Sequence, residues 1–140
     1  MKDLERFVQA QEYNYKNALK EIHSGKKQSC WMWYIFPQIR GLGRSSTAKM
    51  YELEDLEEAK AYLAHPILGS RLLEICEATL ETESNNAGIV FGFPDNLKLR
   101  SSMTLFEQAD PTNSIFGKVL EKFFQGKRDE LTLELLRKNE

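Results

Sequence analysis

The chain has 140 residues, of which 41% are hydrophobic and 29% charged, and its formal net charge is −2. One domain of this length buries roughly two thirds of the surface that its unfolded chain exposes, so it needs no disulfide or structural metal to fold. The composition is that of an ordinary globular protein, and it excludes a disulfide scaffold and a low-complexity chain. A net charge this small does not indicate any class of binding partner.

The two cysteines, Cys30 and Cys76, lie far apart, and neither belongs to a Cys-x-x-Cys pair or a Cys/His cluster. The sequence therefore predicts no metal site, and nothing in it indicates a cofactor. No signal peptide is visible at the start, and no apolar run approaches the length of a membrane span. We expect a cytoplasmic protein with both thiols reduced.

Apolar residues recur with a helical period over most of the chain. Near its start they predict two helices, or one bent helix, which Gly25 ends. Asp55 has the spacing of a capping box, and Pro66 suits the first turn of the following helix. The clearest amphipathic pattern runs from Ile115 to Phe124 and predicts a core helix. The predicted helices span 4–22, about 46–53, 56–63, 66–79, 95 to about 110, 115–124 and about 129–137.

Two short apolar segments are ambiguous. The run 31–36, which Pro37 ends, fits either a buried strand or a helical turn. The run 89–94 fits a helical turn or an extended connector; we take it as helix, and Asp95 after it as an N-cap. Because no segment alternates polar and apolar residues with period two, we predict an all-α fold. It is a single domain over residues 1–140, with about six to eight short helices and little or no β-sheet.

Charge is unevenly distributed along the chain. The segment 22–51 contains no Asp or Glu, although the chain as a whole is slightly acidic, and acidic residues dominate 52–58 and 74–83. This asymmetry suggests a face that attracts anions; the alternative is two ordinary solvated surfaces. The basic residues of the segment are Lys26, Lys27, Arg40, Arg44 and Lys49.

An Arg-Ser-Ser triplet occurs twice, at 44–46 and at 100–102, where Lys98 precedes it. Arginine, hydroxyl groups and the free N–H groups of a helix N-terminus form a suitable cradle for phosphate or carboxylate. Ser45 or Ser46 is placed to cap a helix. The triplet 100–102 falls inside a predicted helix, where the backbone N–H groups are already bonded and only side chains could bind an anion. The alternative for both triplets is capping or close packing between helices.

Aromatic residues concentrate in the stretch 30–46, which holds both tryptophans. In a small helical domain such side chains usually belong to the core. We nevertheless expect Trp31 or Trp33 to line a pocket, with Gln38 beside it to recognise a polar edge of a ligand.

No catalytic arrangement is evident. His65, which precedes Pro66, is more typical of a helix junction than of a general base, and the other histidine is His23. Cys30 follows basic residues but has no accompanying Cys-His-Asn signature. The sequence assigns no catalytic residue, and whether the protein is an enzyme stays open.

Four motifs carry a resemblance to a known family. They are the segments 29–38 (SCWMWYIFPQ), 41–45 (GLGRS), 62–69 (YLAHPILG) and 95–106 (DNLKLRSSMTLF). In this order they resemble the bacterial domain-of-unknown-function family 1810, some members of which carry the label calpastatin. The similarity extends from Leu4 to about Leu136.

The resemblance implies a mainly helical fold and no established activity. The calpastatin label has no support, because the chain contains no repeated disordered inhibitory segment. The family often has histidine at the position of Cys30. A thiol does not readily replace imidazole as a base near neutral pH, so a proton-carrying role at that position is not expected here.

Two functional hypotheses follow. In the first, the protein binds, or also hydrolyses, a small anionic or phosphorylated ligand such as a nucleotide or ADP-ribose derivative. The suggestion of an ADP-ribose derivative comes from a faint similarity to the helical YbiA-like N-glycosidases. In the second, it is a non-enzymatic module whose basic segment 22–51 docks an acidic partner. Sequence-specific DNA binding is disfavoured, and the oligomeric state is left open. The candidate ligand-binding residues are Trp31, Trp33, Gln38, Arg44, Ser45, His65, Lys98, Arg100, Ser101 and Ser102.

Overall fold

The computed structural model describes residues 3–138. Within that range the chain forms nine α-helices and no β-sheet, which confirms the predicted all-α fold. Three of the nine are short pieces of four to six residues: two of them overlap the predicted helical segments 46–53 and 89–94, and the third lies in the run 31–36, which the sequence left open. The helices are α1 (Glu5–His23), α2 (Met32–Ile35), α3 (Ser46–Tyr51), α4 (Leu56–Ala64), α5 (Pro66–Leu80), α6 (Ala87–Phe91), α7 (Asp95–Ala109), α8 (Ile115–Phe124) and α9 (Glu130–Lys138).

Helix α1 is one continuous helix of 19 residues, which decides between the two predicted options. It ends at His23, and Gly25, two residues later, turns the chain with a φ of 90° that is costly for residues with a side chain. None of the helices between residues 3 and 138 combines the length with the apolar composition that a membrane span requires.

The buried carboxylate of Glu21 organises the loop between α1 and α2. It accepts hydrogen bonds from the backbone N–H groups of Gln28 (2.7 Å) and Ser29 (3.0 Å) and from the indole N–H of Trp31 (2.9 Å). Burial opposes ionisation, but the hydrogen bonds from Ser29, Gln28 and Trp31 outweigh it and lower the pKa of Glu21 to about 2. Glu21 therefore fixes the chain as it enters the aromatic stretch.

The ambiguous run 31–36 forms the helical turn α2, and the chain then pairs briefly with a distant segment. Leu53 donates its N–H to the carbonyl of Gln38 (2.9 Å) and accepts from the N–H of Arg40 (2.8 Å). This isolated parallel bridge between Ile39 and Leu53 holds the backbone on both sides of Ile39.

Capping residues begin three helices much as the sequence predicts. The Ser45 hydroxyl accepts from Ala48 N–H, and a carboxylate oxygen of Asp55 accepts from Glu58 N–H. The box is incomplete, because the Glu58 carboxylate accepts from Glu54 N–H rather than from Asp55. His65 lies between α4 and α5, and its Nδ1 accepts from the backbone N–H groups at the start of α5.

Helix α7 is central to the core and packs against α4, α6, α8 and α9. Its Leu99, Met103 and Phe106 are fully buried. The Phe106 ring lies 5.3 Å from that of Tyr62 on α4 and 5.8 Å from that of Phe116 on α8, centre to centre. These contacts join the two halves of the chain in one hydrophobic core.

Two local predictions need correction. Pro94, not Asp95, is the residue that precedes α7, because the Asp95 carboxylate is already engaged by two lysines and does not cap the helix. In α8, Leu120 is fully buried, but Phe123 and Phe124 at its end are only half-buried. The last turn of the predicted core helix therefore lies at the edge of the core.

Candidate functional site

A cleft with a volume of about 210 Å³ opens beside Trp33, where α2 and the loop after it meet α7 and the start of α9. We call it the Trp33 cleft. Its walls are mostly apolar, with four polar side chains among them. The lining residues are Trp33, Gln38, Leu42, Gly43, Pro94, Leu97, Lys98, Ser101, Asp129 and Leu131.

Trp33 is half-buried on α2, and the loop 41–44 passes close to its ring. A Cβ at Gly43 would lie 2.3 Å from the Ala48 Cβ and 3.4 Å from the Trp33 ring. Only glycine therefore fits where this loop crosses α3 and borders the cleft.

Lys98 is held at the cleft by two neighbours. Its Nζ lies 4.1 Å from the centre of the Trp33 ring and 2.9 Å from an Asp95 carboxylate oxygen. The other oxygen of Asp95 lies 2.8 Å from Lys27 Nζ. Burial opposes ionisation of Asp95, but the hydrogen bonds from Lys27 and Lys98 outweigh it and lower its pKa.

Asp129 closes the opposite side of the cleft and caps the start of α9. Its Oδ2 accepts hydrogen bonds from Thr132 N–H (3.1 Å) and the Thr132 hydroxyl (2.5 Å), and lies 3.2 Å from the Ser101 hydroxyl. Its own N–H donates to Thr104 on α7 (2.9 Å). These bonds join α9 to the polar face of α7.

A second, larger cavity of about 580 Å³ adjoins the first, with Asp129 and Leu131 lining both. We call it the basic groove, because its three cationic residues outnumber its two acidic ones, Asp129 and Glu130. It is lined by Arg100, Gly126, Lys127, Arg128, Asp129, Glu130, Leu131 and Leu133.

The three cations of the basic groove differ in how they are paired. Arg128 donates two hydrogen bonds to the Glu107 carboxylate (2.8 and 2.7 Å), which raise the pKa of Arg128. Arg100 lies 3.9 Å from Asp129 Oδ1, and its buried Nε has no hydrogen-bond partner among residues 3–138. Lys127 is exposed, and the described chain offers its ammonium no ion-pair partner. Arg100 and Lys127 are therefore the cations best able to meet an anion.

The structure brings five of the ten candidate residues to this region. Trp33, Gln38, Lys98 and Ser101 line the Trp33 cleft, and Arg100 lines the basic groove.

The other five lie elsewhere. Trp31 is only 1% exposed and bonds Glu21, so it presents no face to a ligand. Ser102 is fully buried inside α7. Ser45 and His65 cap helices, and Arg44 is exposed but lines neither cavity.

Sequence reasoning missed Asp129 and the apolar residues of the cleft, Leu42, Pro94, Leu97 and Leu131. Asp129 could have been found as the N-cap signal of the last predicted helix. The apolar residues gave no separate signal, because their side chains resemble core residues until the fold leaves them at a surface. No group of three His, Cys, Asp or Glu side chains between residues 3 and 138 could hold a metal ion.

The molecule is thus an all-α protein with a joined aromatic and basic cavity between its central and last helices. The chain belongs to the family described as "protein of unknown function (DUF1810)", whose sequence profile matches residues 1–136. The crystal structure of the conserved hypothetical protein Rv1873 from Mycobacterium tuberculosis is similar, with 44% sequence identity and a TM-score of 0.94 over 96% of each chain. Among curated proteins the sequence finds no match.

Proposed function

We propose that this protein binds a small anionic ligand that carries a planar ring, such as a nucleotide or an ADP-ribose derivative. The observation that carries the proposal is the junction of the Trp33 cleft with the basic groove at Asp129 and Leu131. An aromatic, mostly apolar compartment beside a cationic one suits a ligand with a ring at one end and phosphate at the other.

The Trp33 cleft would hold the ring. At about 210 Å³ it is smaller than the roughly 300–1,000 Å³ of sites that enclose a whole drug-sized molecule. It would therefore take one part of the ligand. Because Lys98 lies over one face of Trp33, the ring would rest against the part of the indole that the cleft exposes.

The basic groove would hold the phosphate. Among residues 3–138, Arg100 Nε has no hydrogen-bond partner. Its guanidinium group lies 3.9 Å from Asp129 Oδ1 and 5.8 Å from the centre of the Phe124 ring, so its charge is only partly balanced. Phosphate oxygens are strong acceptors that match the donor geometry of a guanidinium group. Lys127, which also lines the groove, adds a second positive charge.

The proposal is for binding and assigns no catalytic residue. Among residues 3–138, Asp129 is the one carboxylate that lines both cavities, and Ser101 and Thr132 already engage its Oδ2. Hydrolysis would need a further acid or base delivered to the ligand.

A second candidate is an interaction module that docks an acidic partner through the basic segment 22–51. Lys26, Arg40 and Arg44 favour it, because all three are exposed and line neither cavity. Lys27 weakens it, because its charge is paired with Asp95.

A thermal-shift screen against AMP, ADP, ADP-ribose, ribose 5-phosphate and inorganic phosphate tests the first candidate. A ligand present at 100 times its Kd stabilises the folded state by about 2.7 kcal/mol. For a domain of this size that corresponds to a rise in melting temperature of roughly 5–10 °C. No rise with any of them at millimolar concentration would contradict the proposal.

Two arginine variants locate the site. Arg100→Ala should weaken binding of the ligand by about 1.5–3 kcal/mol, the usual contribution of a hydrogen bond to a charged group. Arg44→Ala is the matched control, because it removes the same charge outside both cavities, and it should leave affinity unchanged. If Arg44→Ala instead abolishes binding of a polyglutamate peptide while the nucleotides fail to bind, the interaction module is favoured.

A further inference from the structure

We infer that Asp129 recognises hydroxyl groups of the sugar that joins the ring of the ligand to its phosphate, an inference that rests on the proposed function. The observation is an unused carboxylate oxygen where the two cavities meet. Asp129 lines both the Trp33 cleft and the basic groove. Within residues 3–138 its Oδ1 accepts no hydrogen bond, because the guanidinium group of Arg100 approaches this oxygen only to 3.9 Å.

The other oxygen of Asp129 holds the carboxylate in place. Oδ2 accepts from the Thr132 N–H (3.1 Å) and the Thr132 hydroxyl (2.5 Å) and lies 3.2 Å from the Ser101 hydroxyl. The backbone N–H of Asp129 is bonded to Thr104 as well. Capping α9 needs only one of the two oxygens, so Oδ1 is left over on a side chain that is 16% exposed. A group fixed in advance loses little further freedom when a ligand binds it.

The position of Asp129 corresponds to the middle of the proposed ligand. In a nucleotide the sugar connects the ring to the phosphate. A ligand with its ring in the Trp33 cleft and its phosphate in the basic groove therefore crosses the boundary between the cavities with its sugar. Asp129 supplies a polar side chain at this boundary, and Leu131 supplies an apolar one.

The chemistry of a carboxylate favours hydroxyl groups at that point. A carboxylate accepts hydrogen bonds and donates none, and it repels phosphate oxygens, so the part of the ligand beside Oδ1 must present donors. Ribose hydroxyl groups are such donors, and a carboxylate binds them in the dinucleotide-binding folds. The expected ligand therefore carries free hydroxyl groups between its ring and its phosphate, which accounts for an acidic residue in a basic groove.

Calorimetric titration of ADP and 2′,3′-dideoxy-ADP into the protein tests this. The wild-type protein should bind ADP roughly 10- to 150-fold more tightly, the range expected for one hydrogen bond to a charged group. Asp129→Ser keeps an oxygen that can cap α9 but removes Oδ1. This variant should bind ADP as weakly as the wild-type protein binds dideoxy-ADP, and its affinity for dideoxy-ADP should not fall.

Two further variants separate recognition of the sugar from other effects. Asp129→Asn keeps the side-chain size and the cap but replaces the charged acceptor with a neutral amide, so it should lose most of the preference for ADP. Glu130→Gln is the matched control, because it removes the same charge from a residue that lines the basic groove and not the Trp33 cleft. It should keep the full preference. Melting temperatures close to that of the wild-type protein would show that both Asp129 variants are folded.

Equal affinity of the wild-type protein for ADP and dideoxy-ADP would overturn the inference while leaving the proposed function intact. A preference for ADP that survives in both Asp129 variants would do the same, because the hydroxyl groups would then be recognised elsewhere. Failure of both nucleotides to bind the wild-type protein would overturn the proposed function itself.

Discussion

The ammonium group of Lys98 lies 4.1 Å from the centre of the Trp33 ring, so a cation from α7 covers one face of the cleft's aromatic side chain. Asp95 holds it there and also pairs with Lys27 from the loop after α1. One carboxylate therefore ties the start of α7, which lines the Trp33 cleft, to the loop that leads into α2.

Asp95→Asn should lower the free energy of unfolding by about 1–3 kcal/mol, because both lysines lose their shared charged partner. Glu57→Gln is the control, since its pair with Lys60 is largely exposed and should contribute less than about 1 kcal/mol. Urea denaturation of both variants makes the comparison. Equal losses would show that the Asp95 pairs behave as ordinary surface ion pairs.

Glu21 should make stability depend on pH. Its pKa is lowered from 4.5 to about 2 in the folded protein, so the ionised group stabilises the fold above about pH 4.5 and this contribution is lost as the pH falls towards 2. At neutral pH the shift corresponds to about 3 kcal/mol.

Glu21→Gln should therefore be less stable than the wild-type protein by up to about 3 kcal/mol at pH 7, and by less than about half that at pH 3. Urea denaturation at the two pH values measures the difference. A loss of stability that is the same at both would mean that the ionised carboxylate is not what holds the loop 24–31.

Truncating side chains of helix α8 should cost less stability near its C-terminal end than in its buried middle. Leu120 is fully buried, so Leu120→Ala should cost about 2–5 kcal/mol. Phe123 is only half-buried but touches Phe91, with ring centres 6.5 Å apart; Phe123→Ala should cost less than Leu120→Ala. The midpoints of urea denaturation give both values, and a larger loss at Phe123 would contradict the described packing.

The two cysteines should react very differently. Both are free; Cys30 is exposed and Cys76 is buried. Burial raises the pKa of the Cys76 thiol and removes it from solvent. Intact-mass analysis after brief alkylation of the native protein should find one label, and two after denaturation in urea. Immediate double labelling, or a loss of two hydrogens without any label, would contradict this.

Much of the fold could be predicted because its signals are local. The amphipathic pattern 115–124 and the starts of helices at Ser45, Asp55 and Pro66 depend on residues within one or two turns. The 31–36 turn could not be assigned, because its structure depends on contacts with distant elements such as Glu21 on α1.

The site could be predicted only in part for the same reason. Trp33, Gln38, Lys98 and Ser101 were singled out by residue type, and the fold brings them together. Trp31 belongs to the same motif, but Glu21 bonds its indole and fixes it in the core. Which tryptophan faces the cleft depends on that buried hydrogen bond and on the packing of Trp31 against Phe36 and Phe91, which no local pattern reveals.

The two indole N–H groups allow the most direct test of the central claim, that the Trp33 cleft binds a nucleotide-like ligand. In a ¹⁵N-labelled sample titrated with ADP, the indole signal of Trp33 should shift in a saturable manner. The signal of Trp31, buried and bonded to Glu21, should stay in place. An unmoved Trp33 signal at millimolar ADP and ADP-ribose, or shifts confined to residues around Arg40 and Arg44, would contradict the claim.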